Sequence, residues 1–203
     1  MQNDQMLKNA EKTLAVADDL IKIGKELPKV KGHEPITIFE ALFLIFNQID
    51  EGKNTTNGDH PEFEELIADT SNNLNGLPAF YHIQILRQFV SRYYSEVLPD
   101  SYSQDSDIDA EPAAVINSAI GSLINDSERI INQENIIFSP IEIVYLYIES
   151  FISDSSNVSE KEASSFEYVL KRISIQKNVL LSYLTRYEEL YKDKLKKEAM
   201  NEE

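Results

Sequence analysis

Residues 37–49 read TIFEALFLIFNQI, and this stretch decides the fold class. A threonine followed three residues later by a glutamate is a helix-start signature. The hydroxyl takes an orphan backbone N–H of the first turn, and the carboxylate reaches back to the N–H at the cap. Behind it, Ile38 to Ile49 is apolar except at Glu40, Asn47 and Gln48. No period-two alternation runs through it, and a helix apolar on nearly every face belongs at the centre of a bundle.

The same start signature recurs at Asp59-His-Pro-Glu62, Ser139-Pro-Ile-Glu142 and Ser159-Glu-Lys-Glu162, each ahead of a periodic apolar run. The chain holds only six glycines and seven prolines, and the prolines fall where helices begin or end. The pattern predicts an all-α protein, a bundle of about seven helices with a long C-terminal helix. Helix one covers residues 4–27 with Leu7, Ala10, Leu14, Ala17, Leu20, Ile21 and Leu27 as its inner stripe, and ends before Pro28. The helix after Asp59 ends at the Asn75-Gly76 stop. Pro78 launches another through Val97, with Phe80, Ile83, Leu86, Phe89, Val90, Tyr93 and Val97 inside.

Residues 99–112 carry five acids and no base and read as an acidic linker. They separate an N-terminal half (1–98) from a C-terminal half (113–203) packed on it as one compact unit. The halves share features: Pro35-Ile36 and Pro140-Ile141 each open a very apolar helix, and Ser91-Arg92-Tyr93 matches Thr185-Arg186-Tyr187. These parallels suggest two similar helical halves.

Composition narrows the function. With 42% hydrophobic and 27% charged residues the chain is a globular protein, not a disordered one. The net charge of −16 argues against direct nucleic-acid binding, which needs clustered lysine and arginine. The charge is uneven: residues 35–70 and 99–134 carry −7 each, whereas 1–34 are neutral and 166–203 carry +1. There is no cysteine, which removes disulfides, thiolate catalysis and cysteine-bound metal. The polar N-terminus lacks a signal-peptide core, and the longest strongly apolar stretch, Ile36 to Phe46, is too short for membrane insertion. The expected compartment is a reducing cytoplasm.

No local motif carries chemistry. Asp105, Asp107 and Asp109 match the first ligand positions of a calcium-binding EF-hand loop, but Ala110 and Ile116 stand where glycine and glutamate are required. No histidine follows a glutamate by three residues, as a di-iron bundle needs. There is no phosphate-binding glycine loop and no nucleophile elbow. Neither a catalytic residue nor a cofactor or metal is expected.

The signals that remain concern partners. Phe166, Ile173, Leu180 and Tyr187 recur every seven residues in the last helix, with Lys177 breaking a flanking seam position. Tyrosines cluster at Tyr183, Tyr187 and Tyr191, and acids at Asp100, Asp105, Asp107, Asp109 and Glu111. These eight are the candidate partner-binding residues, because tyrosine suits interface anchors and acids steer basic partners. The expectation is an acidic, non-catalytic adaptor or chaperone-like subunit of a larger complex, secretion machinery among the candidates. Its partner would offer a basic or amphipathic segment, and a homodimer through the C-terminal helix would be compatible. The alternative is a nucleic-acid-mimicking inhibitor of a DNA-binding protein. The third reading is an enzyme whose site leaves no local motif.

Overall fold

The computed structural model describes residues 2–32, 38–51, 58–97, 121, 141, 144 and 166–201. They form five long helices, and no strand occurs among the described residues. Of the helices expected at 113–134 and from Ser139 only residues 121, 141 and 144 are described, all three helical, and the acidic linker lies outside the described residues.

Helix α1 spans Gln2–Lys31 and does not end before Pro28. Proline cannot donate to the carbonyl four residues back, here Gly24, but tertiary packing outweighs that loss. Leu27 is fully buried ahead of the proline, and Val30 packs on the core beyond it. The helix stops at Gly32, which adopts φ +67° and donates its N–H to the Pro28 carbonyl at 2.8 Å. A left-handed glycine is the terminator, not the proline.

The stripe on α1 is also corrected. Ala17, Leu20, Ile21 and Leu27 are buried with Thr13, Val16 and Ile23, whereas Leu7, Ala10 and Leu14 are exposed. One continuous apolar line is thus covered in its second half and open to solvent in its first.

Helix α2 (Ile38–Glu51) is enclosed as its composition predicts. Ile38, Phe39, Ala41, Leu42, Ile45, Phe46 and Gln48 are buried, and Phe43, Leu44 and Ile49 pack against the core. Helix α3 (Pro61–Asn75) starts where the Asp59 signature places it, by a different device. His60 is the cap and makes no side-chain cap bond, and Pro61 at the first position needs no N–H partner. The Glu64 carboxylate reaches back to accept the Gly58 N–H at 3.2 Å. Gly76 ends the helix with φ −88°, outside the left-handed region.

Helix α4 (Ala79–Glu96) buries Ile83, Leu86, Phe89, Val90 and Tyr93 as expected, and Ile85 in addition. His82 is buried too, its Nε2 3.1 Å from the Leu74 carbonyl oxygen. Helix α5 runs unbroken over Phe166–Asn201.

The order of contacts fixes the directions. Asp18 pairs with Arg92, and a Cβ on Gly24 would lie 3.2 Å from Val97, so α4 runs parallel to α1. Phe80 lies 5.8 Å from Tyr191, Arg87 pairs with Glu188 at 2.8 Å, and Lys177 sits 5.1 Å from the Tyr94 ring centre. Helix α5 is therefore antiparallel to α4. Helix α4 packs on both α1 and α5, and all five helices feed one apolar core that also takes Ile141 and Val144.

Candidate partner-binding surfaces

The tyrosines expected to face a partner are largely enclosed. Tyr183 and Tyr187 are fully buried and offer no surface. Tyr191 is half-buried, 6.4 Å from Tyr187 in a stacked arrangement and against Phe80. Tyr183 and Tyr187 lie 5.9 Å apart on the same helix face. On α4, Tyr93 and Tyr94 meet edge to face at 5.5 Å. Such ring pairs contribute ~0.5–1.5 kcal/mol beyond their burial, which suits a seam between helices. Lys177 breaks the heptad pattern because its ammonium lies over the Tyr94 ring, a cation–π contact in place of an apolar one.

Burial pushes the Tyr93 hydroxyl well above the ordinary phenol range, with the Glu40 carboxylate adding to the effect. Burial does the same to Tyr94, with Tyr93 adding to it. Both phenols stay protonated at neutral pH, so neither supplies a base.

Ion pairs line the helix boundaries instead. Arg92 bridges Glu96 on its own helix at 2.6 Å and Asp18 on α1, and the hydrogen bonds it donates to these two carboxylates, Glu96 first, hold its guanidinium charged. The Glu96 carboxyl is lowered in turn, chiefly by the Arg92 hydrogen bond. Glu188 on α5 accepts from Lys192 at 2.7 Å and Arg87 at 2.8 Å, and the Lys192 hydrogen bond is the main reason its carboxyl is lowered. These groups tie α4 to α1 and to α5.

Helix α3 differs. Its inner face is Phe63, Ile67, Thr70 and Leu74, all buried. Glu62, Glu65 and Asp69 are exposed at steps of three and four residues, so they line up on the opposite face, with exposed Asp59 just ahead of them. No lysine or arginine occurs between residues 54 and 86 to offset them along the chain. From Glu62 to Asp69 the row spans ~10 Å at 1.5 Å per residue. This face lies in the acidic segment 35–70, but its alignment follows from the register of α3. The spacing of the three acids against Phe63 and Ile67 is the signal that shows it.

Asp100, Asp105, Asp107, Asp109 and Glu111 lie outside the described residues. Among the described residues no group of three or more histidine, aspartate or glutamate side chains is placed to hold a metal ion, and no helix is long and apolar enough to cross a membrane. No family model matches this chain, and no curated protein or solved structure matches it.

Proposed function

We propose that the chain is a non-catalytic, acidic protein-binding adaptor or chaperone-like subunit that works in a reducing cytoplasm and docks a partner with a basic segment. The exposed acidic row on α3 supports this reading best, because it is a one-sided, one-sign face backed by a rigid helix. Carboxylates arranged this way steer and orient a lysine- or arginine-bearing segment, and they contribute more to association rate and selectivity than to affinity. The same reading keeps the acidic linker, with Asp100, Asp105, Asp107, Asp109 and Glu111, as a second contact for that partner. It also keeps the seven-helix, two-half architecture as its scaffold.

Mimicry of nucleic acid is the second reading, favoured by the regular spacing of the acids on α3. Charge density favours the first. Duplex DNA carries a charge every ~1.7 Å of axis, or ~6 over the ~10 Å that the row covers. The exposed row on α3 offers three in that length, so a basic peptide segment is the better fit.

The test is affinity capture from a lysate of the source cells over a salt series. A stoichiometric protein partner released as salt rises supports the adaptor reading. Retention of only DNA-binding enzymes would move the mimic reading forward, and an absence of any partner would refute both.

A further inference from the structure

We draw no further inference here: the strongest candidate, the exposed apolar stripe of Leu7, Ala10 and Leu14 on the first half of α1, is an unpartnered helix face, and nothing in the structure shows what covers it.

Discussion

Leu14→Ala and Leu20→Ala make the same chemical change on the same helix, six residues apart, and the structure assigns them opposite consequences. Leu20 is fully buried in the shared core, whereas Leu14 is 57% exposed. Truncating a buried leucine removes its transfer free energy and leaves a cavity that the surroundings fill only in part, a loss of ~2–5 kcal/mol. A side chain on an open helix face changes stability by less than ~0.5 kcal/mol, and alanine is itself the best helix former. For a chain of this size 1 kcal/mol moves the melting temperature by ~2–4 °C, so a loss of ~3 kcal/mol for Leu20→Ala lowers it by ~6–12 °C. Leu14→Ala leaves it within ~2 °C. Urea and thermal unfolding followed by circular dichroism give both numbers. A comparable loss at the two positions would refute the assignment of the first half of α1 to solvent.

Tyr187→Ala should cost ~3–5 kcal/mol in the isolated chain, read from urea midpoints, because the ring is fully buried between Tyr183 and Tyr191. A loss under ~1 kcal/mol would return it to the set of surface anchors. Pro28→Ala should stabilise the protein by ~1–3 kcal/mol by restoring an N–H donor for the Gly24 carbonyl inside α1, and a melting curve shifted downward would contradict that account. The Glu188 carboxyl is lowered from its ordinary value of 4.5 in the folded state, so its contribution is complete above that pH and is lost as pH falls through the lower folded value. Stability of the native chain therefore declines below about pH 4.5 and Glu188→Gln makes that decline shallower, while an identical pH profile for the two proteins would show that the pairs with Lys192 and Arg87 carry none of it.

The capping signatures at Thr37 and Asp59 and the proline at 78 place the starts of α2, α3 and α4 correctly, because these starts depend on local chemistry. Pro28 does not end α1, for the converse reason. Whether a helix tolerates a proline depends on what lies beyond it, and Val30 on the core is a tertiary fact. The apolar line from Leu7 to Ile21 is real, yet periodicity cannot show where neighbouring helices stop covering it. On α1 the first buried side chain is Thr13. The tyrosines show the same limit in reverse: Tyr183 and Tyr187 suit an interface or a seam equally by residue type, and the position of α4 alone decides for the seam. The α3 face could have been read in advance from Glu62, Glu65 and Asp69 set against Phe63 and Ile67.

The adaptor reading is tested most directly by capture with two baits in parallel, the native chain and a chain carrying Glu62→Gln, Glu65→Gln and Asp69→Asn. All three side chains are exposed and none belongs to the core, so the variant folds as the native chain does. The account predicts a stoichiometric partner on the native bait that is lost or markedly depleted on the neutralised one. A partner held equally by both baits would contradict the docking role assigned to α3.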